Sequence, residues 1–175
     1  PPISIKDYPV ASAYGDYFLT VSRLISHKRV DVAIDACNRL KQKLIVVGDG
    51  PERESLEKRA GDTIQFVGRI PDDELRQLYV HSRALIFPSH EDYGIVPLES
   101  QACGVPVIAF GKGGALETIR EGETGVFFAE QTADSLIDAI KVFETKTFSP
   151  AQIRSWAGNF DRENFIKELK RFVES

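Results

Sequence analysis

The stretch ALIFPSHEDYGIVPLESQACGVPVIAF, residues 84–110, decides the fold. It opens and closes on apolar runs, ALIFPS (84–89) and PVIAF (106–110), with no polar alternation in either. A strand covered on both faces reads that way, whereas a strand with one wet face alternates. Between the runs, Pro97 suits the first turn of a helix that continues through Glu99 to Ala102. Strand, helix and strand in that order form a parallel pair with a right-handed crossover.

The same alternation extends outward. YFLTVS (17–22), KLIVVG (43–48), TIQFVG (63–68) and GVFFA (125–129) read as further strands. Val30, Ala33, Ile34, Cys37 and Leu40 fall at helical spacing, with Ser26 as the expected N-cap. PERESLEKRA is a polar helix opened by Pro51. PDDELRQLYVHS is a helix with Asp72 as cap and Leu75, Leu78 and Tyr79 as its buried stripe. Thr132 opens a helix carrying Leu136, Ile137, Ile140 and Phe143. Ser149 and Pro150 open another with Ile153, Trp156 and Ala157, and Asp161 opens the last, with Phe165, Leu169, Phe172 and Val173. Buried strands joined by helices imply an α/β fold, a doubly wound Rossmann-like parallel sheet.

Composition narrows the function. The 175 residues suit one domain with a substantial core. Lys and Arg number 22 against 26 Asp and Glu, a net charge of −4, which leaves no electrostatic footprint for nucleic acid or an anionic membrane. No apolar run approaches the roughly 20 residues of a spanning helix, and no signal peptide is visible. Cys37 and Cys103 lack CxxC or metal-ligand spacing and read as a reduced pair. The chain has no methionine and opens on PPISIKDYP, as either removal of the first methionine or a domain cut from a longer protein would leave it, and the second is the expectation here.

Ligands of such folds bind at the carboxyl ends of the strands. That rule selects Ser22-Arg23, Gly48-Asp49-Gly50, Gly68-Arg69, His90-Glu91 and Gly111 to Gly114. The first βα turn, VSRLISHKRVD, lacks the G-x-G-x-x-G of dinucleotide binders and offers the cations Arg23 and Lys28 instead. Surface turns also carry solvated cations, but a lysine at a helix start is mismatched with the dipole unless it meets an anion. Gly48 and Gly50 let backbone approach a ligand, or only make a tight turn. Gly113 and Gly114 precede a helix as a nest or a turn.

EDYGIVPLE (91–99) then carries the chemistry. Glu91 lies in the loop above the sheet, and the N–H groups near Gly94, Ile95 and Val96 are helix-start donors suited to an anion. Eight helical residues separate backbones by about 12 Å. Retaining glycosidases need carboxyls about 5–5.5 Å apart and inverting ones about 6.5–9.5 Å. The pair is poorly spaced for two catalytic carboxylates and suits a long ligand held at both ends, hydroxyl groups at each glutamate and a diphosphate between. A sugar nucleotide has that layout; two solvated glutamates are the plain alternative.

VSRLISHKRVD, VVGDGPERE, FVGRIPDDEL, the 84–119 stretch and EGETGVFF together resemble the C-terminal, donor-binding domain of family 4 retaining glycosyltransferases, two-domain GT-B enzymes. The likeness runs over about residues 17–173 in the family's order. Glu91 and Glu99 match its E-x7-E motif. The resemblance implies that Glu91 meets sugar hydroxyls near the reacting centre and Glu99 the ribose. It implies that Arg23 and Lys28 hold the leaving diphosphate, so that Glu91, Arg23 and Lys28 are the catalytic set. Gly94, Ile95 and Val96 match the segment at the sugar and phosphates, Arg69 and Ile70 the base site, and Gly48 and Gly50 the donor-side turn. Ser22 and Arg29 depart from the family, standing where many members have glycines.

The resemblance is strongest to a mannosyltransferase branch of polysaccharide assembly, which implies GDP-mannose as donor substrate, no cofactor and no obligatory metal; an Asp-x-Asp metal motif is absent from the ligand-side loops. It also implies a division into a linker (1–16), a nucleotide-sugar-binding domain (17–148) and C-terminal helices (149–175) that pack toward an N-terminal domain outside this chain. That domain would take a glycan or lipid-linked acceptor, at a cytoplasmic site that includes the inner face of the membrane. The isolated chain is expected to bind donor weakly without transferring it. The rivals are another GT-B enzyme such as a sugar-nucleotide 2-epimerase, or a non-catalytic nucleotide-sugar-binding module. A flavodoxin-like module is disfavoured, because the first turn lacks a phosphate loop rich in Ser, Thr or Gly.

Overall fold

A computed structural model describes residues 3–173, apart from the side chains of Glu168 and Val173. Six strands form one parallel sheet: β1 (Tyr17–Val21), β2 (Lys43–Val47), β3 (Ile64–Gly68), β4 (Ala84–Phe87), β5 (Val107–Phe110) and β6 (Gly125–Phe128). Their order is β3-β2-β1-β4-β5-β6. From β1 the chain steps outward to β2 and β3, then returns to place β4 on the other side of β1, with Phe18 paired to Leu44 on one side and Ala84 on the other. The order reverses between β1 and β4, and a crevice opens there at the carboxyl edge.

Both faces of the sheet are covered, as the unalternating strands require. Phe18, Leu44, Val46, Ile86 and Ile108 pack with α1 (Val30–Leu40) and α6 (Ala133–Glu144) on one face. Their neighbours Leu19, Val47, Leu85, Phe87 and Val107 point the other way, with Tyr79 of α3 (Asp72–Val80). On that side α4 (Ile95–Ala102) packs against α7 (Pro150–Ala157). Short helices α2 (Arg53–Arg59) and α5 (Ala115–Thr118) and a terminal α8 (Arg162–Val173) complete the chain. Cys37 and Cys103 are free and buried, and burial pushes both thiols up to about 12.

Three helix starts differ from expectation. Ser26 does not cap α1. Residues Ser26–Lys28 form a 3-10 turn whose first carbonyl accepts the Arg29 N–H at 3.2 Å, and α1 begins only after Arg29, in the left-handed region at φ 53°. Asp72 lies inside the first turn of α3, after Pro71 at the cap, where with Asp73 and Glu74 it complements the dipole. Pro51 stands ahead of α2 because the Glu52 N–H is drawn to the Leu24 carbonyl at 3.1 Å. Thr132 and Ser149 cap α6 and α7 as read, each accepting from the N–H three residues on. Asp161 accepts the Glu163 N–H at 2.9 Å at the head of α8. That helix keeps Phe165 and Leu169 about half exposed, at 46% and 51%. The side chain of Val173, expected in the same stripe, lies outside the described residues.

The segment before β1 is tied down rather than loose. Ile3 bridges to Asp161, the Ala11 N–H donates to the Cys103 carbonyl at 2.9 Å, and the Gly15 N–H donates to Ser82 at 3.2 Å. The Arg154 guanidinium donates to the carbonyls of Tyr8 at 2.8 Å, Ile5 at 3.0 Å and Ala102. One α7 side chain thus clamps the lead-in onto the end of α4.

Gly48 shows how tightly the carboxyl edge is built. At φ 126°, a Cβ there would stand 1.8 Å from the Ser22 carbonyl oxygen. Gly48→Ala is expected to lower unfolding free energy by about 3 kcal/mol or more. Gly122→Ala, also at positive φ but with only the flexible Lys146 Nζ 3.6 Å from the added Cβ, is expected to cost only about 1–2 kcal/mol. Urea denaturation of the two variants measures the contrast.

Candidate functional site

The crevice at the switch point is a hollow of about 380 Å³ lined by Val21, Ser22, Arg23, Val47, Gly48, Asp49, Arg69, Ile70 and Val96. It draws on the ends of β1, β2 and β3 and the first turn of α4, so four separate stretches named from the sequence converge on it. Larger hollows exist, one of about 430 Å³ beside Trp156 and one of about 710 Å³ between the lead-in and α8. Neither lies at the strand ends where the sheet leaves backbone groups for a ligand.

The crevice is electropositive by default. Asp49 accepts the Gly50 N–H at 2.8 Å and faces Arg53 at 3.9 Å. Arg23 and Arg69, both exposed, form no ion pair among the described residues. Two guanidiniums at one cleft without carboxylate partners favour an anionic ligand. The helix start adds to them. Gly94, at φ 77°, precedes α4 with no side-chain cap, which leaves the N–H groups of Ile95 and Val96 without intrahelical partners.

Lys28 is placed differently from its fellow cation. Its Nζ stands 2.8 Å from Glu91 Oε1, with the two side chains 18% and 29% exposed. The Ser89 hydroxyl donates to the same oxygen at 2.7 Å. The anion that justifies a lysine at the start of this helix is therefore, in this structure, the first glutamate of the motif. The loop carrying Glu91 is held from behind. The Gly114 N–H donates to the Glu91 carbonyl at 2.8 Å. A Cβ on Gly113 or Gly114 would come within 2.4–2.6 Å of the Glu91, Asp92 and Tyr93 carbonyl oxygens. The glycine pair is a backbone buttress for the Glu91 loop.

Gly50 has a similar explanation. It does not line the hollow; a Cβ on it would meet the Leu24 carbonyl oxygen at 2.3 Å. The GDGP turn is pressed against the first βα turn, with the Leu24 N–H donating to Asp49 at 3.0 Å. Chain presses closely on both glycines, and Gly48 also lines the hollow.

Glu99 follows Val96 by three residues on the same helix face but does not itself line the hollow. Its carboxylate is taken from two sides. The Tyr8 hydroxyl donates to Oε1 and the Tyr79 hydroxyl to Oε2, each at 3.0 Å. Burial lifts the Glu99 carboxyl above its ordinary value, and the two phenol hydrogen bonds oppose the lift. Tyr79 is wholly buried, and burial with the adjoining Glu99 charge pushes its phenol far up. Tyr8, Tyr79 and Ser89 are the residues that the motif reading missed. A fully buried tyrosine needs a partner for its hydroxyl, and that requirement was a usable signal for Tyr79. Nothing local in the sequence pointed to Tyr8 or Ser89.

Residues 11–158 match the family model described as glycosyl transferases group 1. The chain belongs to that family. A GDP-mannose-dependent alpha-(1-6)-phosphatidylinositol monomannoside mannosyltransferase of Mycolicibacterium smegmatis is 33% identical over 138 residues, covering 69% of this chain and 36% of that protein. A glycogen synthase of Pseudomonas aeruginosa is 34% identical over 136 residues, 72% of this chain and 26% of its own length. Among solved structures, Anabaena Alr3699/HepE in complex with UDP and glucose superposes with a TM-score of 0.85 at 20% identity, over 99% of this chain and 55% of that one. That likeness establishes the fold, a Rossmann-like parallel α/β domain. The chain spans about a third of the length of the mannosyltransferase it matches. No helix among the described residues is long and apolar enough to cross a membrane.

The raised Glu99 carboxyl has a consequence for stability. A carboxyl with a folded value above the ordinary 4.5 binds its proton more tightly folded than unfolded. Its contribution favours the folded state below 4.5 and is lost as pH rises through the folded value. Glu99→Gln, which mimics the protonated form, is therefore expected to gain stability relative to the parent chain between pH 4.5 and 7. Urea unfolding of both proteins across that range reads the change.

Proposed function

We propose that this chain is the donor-binding domain of a retaining glycosyltransferase that moves a hexose, with mannose from GDP-mannose as the first candidate. The observation that carries the reading is the pair of unpartnered guanidiniums, Arg23 and Arg69, facing one crevice beside the uncapped start of α4. A nucleoside diphosphate sugar fits that charge and that length. GDP-mannose is favoured by the mannosyltransferase relative, whose name specifies it. The glycogen synthase and the UDP-bound Anabaena structure keep UDP sugars in the comparison.

In this reading the diphosphate lies across Arg23 and the N–H groups after Gly94, with the base toward Arg69 and Ile70. Lys28 Nζ turns from Glu91 to the phosphates, keeping its other N–H donors for the carboxylate. Glu91 then takes sugar hydroxyls near the anomeric carbon, and Glu99 the ribose. The cations and the helix start stabilise the charge that builds on the leaving diphosphate. As its bond to the anomeric carbon loosens toward an oxocarbenium-like state, the acceptor hydroxyl attacks from the same face. The nucleotide sugar is a substrate, and no cofactor or metal has a step.

The acceptor, a glycan or a lipid-linked sugar, belongs to a second domain that residues 1–16 and 149–175 would join. A cytoplasmic place, or the inner face of a membrane, suits such an acceptor. Isothermal calorimetry with GDP-mannose, UDP-glucose, UDP-GlcNAc and their nucleoside diphosphates tests the proposal. GDP-mannose is expected to bind tightest. Arg23→Ala and Lys28→Ala are each expected to weaken its binding about tenfold or more, the scale of one charge-assisted hydrogen bond. Failure of every nucleotide to bind would remove the reading.

A further inference from the structure

Glu99 is held by a residue that lies outside the matched family segment and 91 positions away in sequence. Tyr8 belongs to the lead-in before β1, and three separate contacts fix it. Its hydroxyl donates to Glu99 Oε1 at 3.0 Å. The Arg76 guanidinium of α3 lies over its ring, 5.3 Å from the centroid. Its carbonyl accepts from Arg154 at 2.8 Å, and the same guanidinium grips Ile5 and the end of α4. A residue needed only to fill space would not require tethers on hydroxyl, ring and backbone.

The stoichiometry of the carboxylate gives these tethers a purpose. An ionised carboxylate offers about four acceptor positions, two on each oxygen. Tyr8 and Tyr79 occupy one on each. One position per oxygen remains, a matched pair that suits two vicinal hydroxyls. With one phenol bonded to each oxygen the carboxylate is held at both ends, so a diol meets a preset acceptor pair and loses less freedom on binding.

We propose that Tyr8 is a positioning residue for Glu99, and that the lead-in thereby sets how strongly the crevice discriminates a ribose from a sugar lacking its 2′ and 3′ hydroxyls. The inference rests on the reading that Glu99 takes the ribose. It makes the segment ahead of the sheet a working part of the donor site rather than a tether to it.

The test compares GDP and UDP with their 2′,3′-dideoxy counterparts, by calorimetry, on the parent chain, Tyr8→Phe and Glu99→Gln. Phenylalanine keeps the ring beneath Arg76 and the backbone contact to Arg154, and removes only the hydroxyl. The expected result is a three- to tenfold weaker affinity of Tyr8→Phe for the ribonucleotides, about the scale of one lost hydrogen bond, with dideoxynucleotide affinity unchanged. Glu99→Gln is expected to erase most of the preference for ribose. If Glu99→Gln erases it while Tyr8→Phe retains it in full, the positioning role is overturned and the ribose assignment stands. If Glu99→Gln retains the parental preference, or the parent binds both nucleotide forms equally or not at all, the ribose assignment fails and the inference with it. Should Tyr8→Phe melt below the assay temperature, Arg154→Lys carries the same comparison. It loosens the lead-in without removing a group from Glu99, and is expected to lose ribose preference in the same sense. An unchanged preference in that variant overturns the proposal.

Discussion

The carboxyl edge of the sheet depends on loops that pack backbone against backbone. Gly48 against the Ser22 carbonyl, Gly50 against the Leu24 carbonyl, and Gly113 and Gly114 against the carbonyls of Glu91 to Tyr93 leave no room for a Cβ. These contacts press the second connection onto the first and the fifth onto the fourth, and the first four connections line the crevice. They also explain why exposed polar loops can hold charged groups in place. Arg23 and Lys28 are on a connection tied to the second by the Leu24 N–H to Asp49, and Glu91 is on one tied to the fifth by the Gly114 N–H. A site made of flexible loops would spend much of its binding free energy on ordering them.

The ion pair of Lys28 with Glu91 then has a definite meaning. Both side chains are less than a third exposed, and a charge so placed is costly without a partner. Before any ligand arrives each neutralises the other, with Ser89 completing the acceptor's shell. Arg23 and Arg69 have no such partner and stay in water, where an unpaired guanidinium costs little. The crevice therefore separates its cations by environment, one half-buried and internally paired, two solvated and available. An arriving phosphate would compete only for one lysine, not for all three cations.

How much of this was legible in the sequence follows from the range of the forces involved. Strand positions and the doubly wound fold class are readable, because burial on both faces writes an apolar run at the central strands; edge strand β3, with Gln65 exposed, carries a weaker signal. The strand-end residues followed from the fold rule. Helix starts were less legible. Ser26 has the side chain of a cap, but the chain reaches α1 through a 3-10 turn and a left-handed Arg29, held by a bidentate contact to Asp31 at 3.1 Å for both nitrogens. Capping preference is worth about 1 kcal/mol, so tertiary placement of the turn overrides it. For Gly50 and Gly113 the sequence leaves ligand approach and tight turn both open, because it reports conformational freedom and not what uses it; the structure shows chain packed against each.

Glu99 marks the limit of motif reading. Eight residues from Glu91, it is placed by spacing at the far end of a long ligand, on the helix that also carries Val96 of the crevice. What spacing could not show is that two tyrosines from distant segments already occupy both of its oxygens. A half-buried carboxylate already bonded to two phenols is a more selective acceptor than a solvated one. Water cannot freely replace a lost partner there, so a ligand hydroxyl that is missing leaves the charge underserved. The phenols make the site discriminating by restricting it, and they do so from elements that no contiguous stretch of sequence brings together.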